Sequence, residues 1–203
     1  MNDVLALSHV SRWSIIPHHG SQSVADHSFR VAVVYLELCT RFQYPAHFTD
    51  LVWVLMHDAP ESWTGDIPGP FKSRDSDTKV CPWWHEYKRH ISPEVLTLVK
   101  LADLIEGASW IAMRGVGLHA RYAAQRLHRD AEEKAREAAG IVGWGPEKAA
   151  EVVRGLICDI VEEVGRVTSS IEYEREARNE NGKKRAGTGV SGEGVGGNTK
   201  LDT

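Results

Sequence analysis

The sequence predicts an all-α fold, an irregular helical bundle followed by a Gly-rich C-terminal tail. Three observations predict it. Apolar residues recur at helical three- and four-residue spacing in separate segments. Those segments open at cap residues and close at Pro or Gly breaks. From Asn179 the composition changes to Gly, Lys, Asn, Thr and Ser, and seven of the last 25 residues are glycine. Such a segment cannot bury enough apolar surface to order itself. The expected organisation is one domain over residues 1–178 and a disordered tail over residues 179–203.

The elements follow in order. Ser23 reads as an N-cap with Asp26 in the first turn. Val24, His27, Val31, Val34 and Leu38 then keep helical spacing, which turns His27 toward the core. A second helix is expected from Pro45 to Asp58, with Phe48, Leu51, Val52 and Leu55 as its stripe. Asp58 and Ala59 continue that stripe until Pro60 bends or ends it. Residues 64–70, Thr-Gly-Asp-Ile-Pro-Gly-Pro, read as a loop. The stretch from Phe71 to Ile91 is aromatic and has no clean period. Ser92-Pro93-Glu94 is a strong helix start, and Leu96, Val99, Asp103, Gly107 and Trp110 line one face beyond it. An Ala-rich, charged helix spans residues 117–139, and Gly143-Trp144-Gly145-Pro146 breaks the chain. In the long helix that follows, Val153, Leu156, Ile157, Ile160, Val164, Val167 and Ile171 form a stripe that could supply an interface.

Bulk properties narrow the class. A chain of 203 residues suits one well-packed domain and is short for two. A net charge of −4 argues against a broad electrostatic grip on nucleic acid, so a polyanionic substrate needs local cations or a metal. Cys39, Cys81 and Cys158 make neither a zinc-ribbon spacing nor a disulfide framework, which suits a reducing compartment. Met1-Asn2-Asp3-Val4 does not open a signal peptide, and no apolar run approaches the ~18 residues of a membrane span. The expectation is a cytoplasmic protein without membrane or stable nucleic-acid partners.

The dipeptide His57-Asp58 lies between a lone His27 upstream and a lone Asp103 downstream. A single His on an apolar helix face is more often a hydrogen-bonded core residue than a ligand. Asp103 alone reads equally as a carboxylate paired with Arg or Lys, and His57-Asp58 as a helix end. Here, however, three apolar stripes each carry a polar interruption, and every interruption is a metal-ligand type. Burying two carboxylates at one site costs desolvation and mutual repulsion, and a divalent cation removes both penalties. The expected sphere is His27, His57, Asp58 and Asp103 around one divalent transition metal (Co2+, Zn2+ or Mn2+), with positions left open for water or substrate.

Glu61, about one turn after His57, is the candidate for proton transfer. Asp66, in the loop, is a second candidate for orienting water, and reads otherwise as a loop cap. Positive charge for a phosphate is available from Arg12, from Lys72 and from Lys100, the last one turn before Asp103. Each of these is ordinarily a solvated cation, and only proximity to the ligand positions singles it out. Trp13 is placed to stack on a nucleobase or to wall a sugar, although a Trp is by default a core residue.

The ordered set resembles the HD-domain phosphohydrolase superfamily, and within it the YfbR-like 5′-deoxynucleotidases and the phage DatZ-type dATP triphosphohydrolases. The resemblance covers about residues 5–165. Ser11-Arg12-Trp13-Ser14-Ile15, Ser21 through Phe29, His57-Asp58-Ala59-Pro60-Glu61, Thr64-Gly65-Asp66-Ile67-Pro68, Lys72 and Lys100-Leu101-Ala102-Asp103 carry it. A bare His-Asp pair is weak; the ordered set with the Thr-Gly-Asp loop and the upstream Arg-Trp is specific. The resemblance implies the same four metal ligands, Glu61 as the catalytic carboxylate with Asp66 in support, and Arg12, Lys72 and Lys100 at phosphates. It further implies that Trp13 and Ile15 crowd the sugar 2′ position and exclude ribonucleotides. DatZ-type enzymes strip phosphates from dATP, dADP and dAMP to leave deoxyadenosine, which in phages clears adenine from the DNA precursor pool. Relatives form dimers or hexamers, so a homo-oligomer is implied. The chain departs from the pattern in its tail and at Pro60, which bears on the placement of Glu61.

Competing readings remain at this point. One is a 5′-deoxynucleotidase confined to dNMPs. A (p)ppGpp hydrolase fits less well, because Ser62 rather than a second acid follows Glu61. A non-catalytic nucleotide-binding protein has no need of Glu61. A nucleic-acid regulator would rest on Lys183-Lys184-Arg185 alone.

Overall fold

The computed structural model describes the backbone of residues 2–67 and 81–187 and the side chains of residues 4–67 and 81–166. Lys72 lies outside the described residues. A 3-10 helix, Asn2–His9, precedes α1 (Val24–Phe42), α2 (Phe48–Met56), α3 (Glu61–Thr64), α4 (Pro82–Arg89), α5 (Pro93–Arg114), α6 (Gly117–Ala138) and α7 (Pro146–Gly187). Among the described residues there is no strand, only isolated antiparallel bridges between Ser11 and Ser23 and between His18 and Gly115. The all-α class is as the sequence predicts.

The predicted caps form. Ser23 Oγ accepts the Asp26 N–H at 3.1 Å, and Ser92 Oγ accepts the Val95 N–H at 3.3 Å. The segment before α1 is tied to the start of that helix, with Arg12 N–H donating to the Gln22 carbonyl and Val24 N–H to the Val10 carbonyl, both at 2.9 Å. This clamp delivers Arg12 and Trp13 to the end of α1 that carries His27.

α2 is shorter at both ends than the expected 45–58. At its start the Asp50 carboxylate accepts the His47 N–H at 3.1 Å, so the helix opens after His47. At its end Pro60 has no N–H for the Met56 carbonyl. The chain tightens into i−3 turns instead, with Ala59 N–H on the Met56 carbonyl at 3.0 Å and Glu61 N–H on the Asp58 carbonyl at 2.9 Å. His57 and Asp58 therefore stand on a tight turn between two helices. The aperiodic aromatic stretch contains α4, whose Trp84 packs on Trp53 and donates its indole N–H to the Met56 carbonyl at 3.0 Å.

α5 is the hub and packs against both α1 and α6. Every residue from Leu101 to Ile111 is buried except Asp103, which is partly exposed. A helix buried all round has no single apolar stripe. α6 presents Ala120, Ala131, Ala135 and Ala138 to the interior, small side chains that let helix backbones approach closely. Val153, Leu156 and Ile157 of α7 are buried in the same core, and Ile160 packs against it. That part of the stripe is spent within the chain and is not a free interface.

Packing divides the chain into one compact unit, residues 1–162, and a second, residues 163–203. α7 continues past Asn179 to Gly187, into the segment expected to be tail. Glu, Arg, Lys and Ala are strong helix formers, and a nucleated helix extends without needing an apolar face. Residues 188–203 lie outside the described residues. No helix among the described residues is long and apolar enough to cross a membrane.

Candidate metal centre

Three elements converge on one point. α1 supplies His27, the turn after α2 supplies His57 and Asp58, and α5 supplies Asp103. His27 Nε2 lies 3.5 Å from Asp58 Oδ2 and 3.3 Å from Asp103 Oδ1. His57 Nε2 lies 3.3 Å from Asp58 Oδ2. Ligand atoms of His27, His57 and Asp58 all fall within 4.8 Å of one another, and Asp103 reaches the group through His27.

Both imidazoles are oriented from behind. His57 Nδ1 donates to the Val54 carbonyl at 2.7 Å, and His27 Nδ1 donates to Glu106 Oε2 at 2.7 Å. A carbonyl and a carboxylate only accept, so each Nδ1 carries the proton and each Nε2 faces the aspartates. Both Nε2 atoms are buried without a hydrogen-bond partner. Orphaned buried nitrogens ringed by carboxylates fit a divalent ion bound through nitrogen and oxygen donors.

The field is consistent with that fit. Burial opposes charge on His57, but Asp58 and then Asp103 outweigh it and raise the imidazole pKa to about 9. Burial also opposes charge on Asp58, yet the two imidazoles hold its carboxyl well below the usual range. Asp103 is likewise lowered against its burial, by His27 close beside it and by the Lys100 charge. The site holds anionic oxygens that attract any cation, proton or metal.

The substrate-side residues cluster beside it. Burial opposes the Arg12 charge, while Asp103, Asp58, Glu106 and Asp66 favour it and keep its pKa raised. Its Nε and Nη1 are buried and make no hydrogen bond, and the nearest Glu106 oxygen is 3.6 Å away. Lys100 Nζ meets Asp103 Oδ2 at 2.6 Å from a half-exposed position. Trp13 stacks on Trp110 with centroids 5.7 Å apart and planes at 7°. Gly107 packs against that indole, and a Cβ there would stand 3.4 Å from it. Ile15 is exposed.

Glu61 is buried at the start of α3, so Pro60 does not expel it from the interior. Asp66 is not a simple loop cap. Its Oδ2 accepts the Trp13 backbone N–H at 3.1 Å, which pins a residue in the left-handed region at φ 65°.

Glu106 and Gln22, both 1% exposed, were not singled out by the sequence reading. A signal existed for Glu106: it follows Asp103 by three residues and interrupts a largely apolar run. The cavity of about 380 Å3 at the C-terminal end of α1, lined by Leu36, Cys39 and Tyr44, contains none of these groups.

An all-helical fold that gathers two histidines and two aspartates from these three elements, with a buried acid after the His-Asp pair, is that of an HD-type metal-dependent phosphohydrolase. Comparison with known proteins agrees. The family model of the YfbR-like 5′-deoxynucleotidases matches residues 1–81. The dATP triphosphohydrolase of Salmonella phage PMBT28 is 36% identical over 141 residues, 62% of this chain and 71% of the relative. That of cyanophage S-2L is 30% identical over 132 residues, 61% of this chain and 75% of the relative. The fold matches the cyanophage S-2L HD phosphohydrolase (DatZ), solved with dA and one catalytic Zn2+ ion, at TM-score 0.69 and 22% identity, covering 80% of this chain and 96% of that one. The chain belongs to the phage dATP triphosphohydrolase family of YfbR-like HD phosphohydrolases.

Proposed function

We propose that this chain hydrolyses 2′-deoxyadenosine phosphates, dATP and also dADP and dAMP, to deoxyadenosine and (tri)phosphate. The observation that carries the reading is the His27, His57, Asp58 and Asp103 cluster with the Arg12 charge in its field, in a chain 36% identical to a phage dATP triphosphohydrolase. Its role would be to clear dATP from a phage nucleotide pool in the host cytoplasm. The same reading takes residues 1–178 as the catalytic domain, 179–203 as an appendage, and a homo-oligomer as the assembly.

His27, His57, Asp58 and Asp103 hold one divalent ion. Zn2+ is the ion named for the cyanophage structure, and Co2+ and Mn2+ suit the same donors. The ion supplies Lewis acidity toward a phosphoryl oxygen and acidifies water. The protein's own groups do the rest. Glu61 takes the proton of the attacking water and returns one to the leaving oxygen. Arg12 offers unpartnered N–H donors to a phosphate, and Lys100 adds a mobile charge at the rim, with Lys72 assigned by sequence alone. Trp13, braced by Trp110, and Ile15 wall the deoxyribose.

The family model that matches residues 1–81 favours a second reading, a 5′-deoxynucleotidase acting on dNMPs. One experiment separates the two: chromatography of products from deoxy- and ribonucleotide mono-, di- and triphosphates with Zn2+, Co2+ or Mn2+. Deoxyadenosine formed from dATP supports the first. Turnover of dNMPs with dATP untouched would establish the second, and no hydrolysis with any metal would leave a nucleotide-binding protein.

A further inference from the structure

We propose that Glu106 is a positioning residue that holds the metal ligand His27, the phosphate donor Arg12 and the sugar-wall residue Trp13 in one buried network. The inference rests on the reading of His27 as a ligand and goes beyond it.

The geometry of Glu106 has no bland explanation. A carboxylate 1% exposed on the most buried helix is expensive unless all its lone pairs are used. Oε2 accepts from His27 Nδ1 at 2.7 Å and faces Arg12 Nη1 at 3.6 Å. Oε1 accepts from Gln22 Nε2 at 2.8 Å and from Arg30 Nε at 2.6 Å. Two arginines and a hydrogen-bonded imidazole therefore surround the buried carboxylate.

Each partner leads to a different part of the site. Through His27, Glu106 fixes the tautomer that aims Nε2 at Asp58 and Asp103, and a carboxylate behind a ligand imidazole also raises its basicity. Through Gln22 the network continues to the sugar wall, because Gln22 Oε1 accepts the Trp13 indole N–H at 2.7 Å. Gln22 is itself 1% exposed, so this link has no water to compete with it. Through Arg12 the same charge faces a guanidinium whose buried Nε and Nη1 make no hydrogen bond. Both carboxylate oxygens accept, so an amide in this place would turn its NH2 against another donor.

The test is Co2+ titration of the full chain, followed by visible absorption and with fold checked by circular dichroism. Glu106→Gln is expected to weaken Co2+ binding by about 10-fold or more and to alter the cobalt spectrum, the usual scale for a lost carboxylate behind a ligand histidine. Gln22→Ala is expected to leave the cobalt spectrum in place while raising KM for dATP more than it lowers kcat. Should Glu106→Gln fail to fold, Glu106→Asp keeps the charge and withdraws it from His27, so the cobalt spectrum should still shift. A folded Glu106→Gln, or in its place Glu106→Asp, with unaltered Co2+ affinity and spectrum overturns the proposal. His27→Ala separates the two levels: loss of Co2+ there with no effect at Glu106 leaves the metal reading standing and sinks only the positioning role. Full Co2+ binding by His27→Ala would sink both.

Discussion

Removing the Asp66 carboxylate should damage sugar recognition more than chemistry. Trp13 is held at φ 65°, a left-handed conformation that costs a residue with a Cβ about 1–2 kcal/mol. The bond from its N–H to Asp66 Oδ2, 3.1 Å long and partly buried, has an ionised acceptor and contributes about 1.5–3 kcal/mol. The bond therefore roughly offsets the strain, and its loss leaves the left-handed backbone of Trp13 without that compensation. Asp66→Ala should raise KM for dATP by about 10-fold, the equivalent of about 1.4 kcal/mol, and narrow the preference for dATP over ATP. Asp66→Asn keeps an oxygen acceptor without the charge and should do less. The assay is steady-state kinetics on dATP and ATP for the three proteins. A fall in kcat of about 10²-fold with KM and sugar preference unchanged would refute this reasoning and return Asp66 to the role of water-orienting carboxylate.

Other outcomes follow from the same geometry. Glu61→Ala should keep the metal and nucleotide bound while turnover drops by roughly 10²-fold or more, measured by metal analysis and single-turnover kinetics; loss of the metal instead would make Glu61 a ligand. Metal binding must displace the proton that Asp58 and Asp103 favour on His57, whose pKa is raised to about 9. Affinity should then increase about tenfold per pH unit while pH stays below that value, with proton release seen by calorimetry in buffers of different ionisation enthalpy, and a flat profile between about pH 6 and 8 would contradict it. Ile15→Ala should narrow the dATP preference over ATP mainly by improving ATP, since it opens space at an exposed wall, and Trp13→Ala should harm both substrates because the stack on Trp110 goes with it. Equal rates on dATP and ATP in the unaltered protein would remove the sugar wall.

What was legible in the sequence was whatever each residue announces by its own neighbours. His27 breaks a stripe of valines and leucines, His57-Asp58 precedes a proline, Asp103 breaks a helix face, and Ser23 and Ser92 stand where caps belong; the structure has the caps in place and brings the four side chains together. The end of α2 was legible only in part, because Pro60 signals a break without saying that the chain will tighten into i−3 turns. The aromatic stretch hid α4, because the helix has only eight residues, too few turns for its buried Trp84 and half-buried Tyr87 to set a period against His85, Glu86, Lys88 and Arg89. The hydrogen bond of Asp66 to the Trp13 backbone N–H could not be read in the sequence, because that partner lies far upstream in the chain. Glu106 makes the point most clearly. Asp103 and Glu106 are acids three residues apart on one helix, and nothing in the local pattern tells them apart. Asp103 meets a half-exposed Lys100 and the orphaned face of His27, which leaves an oxygen for a metal. Glu106 is enclosed by Gln22, Arg30 and the Nδ1 face of the same imidazole, which is the ground for the positioning role proposed for it. Local periodicity can bring an acid to a site, but these two acids are told apart by their surroundings, of which His27, Gln22 and Arg30 come from outside α5.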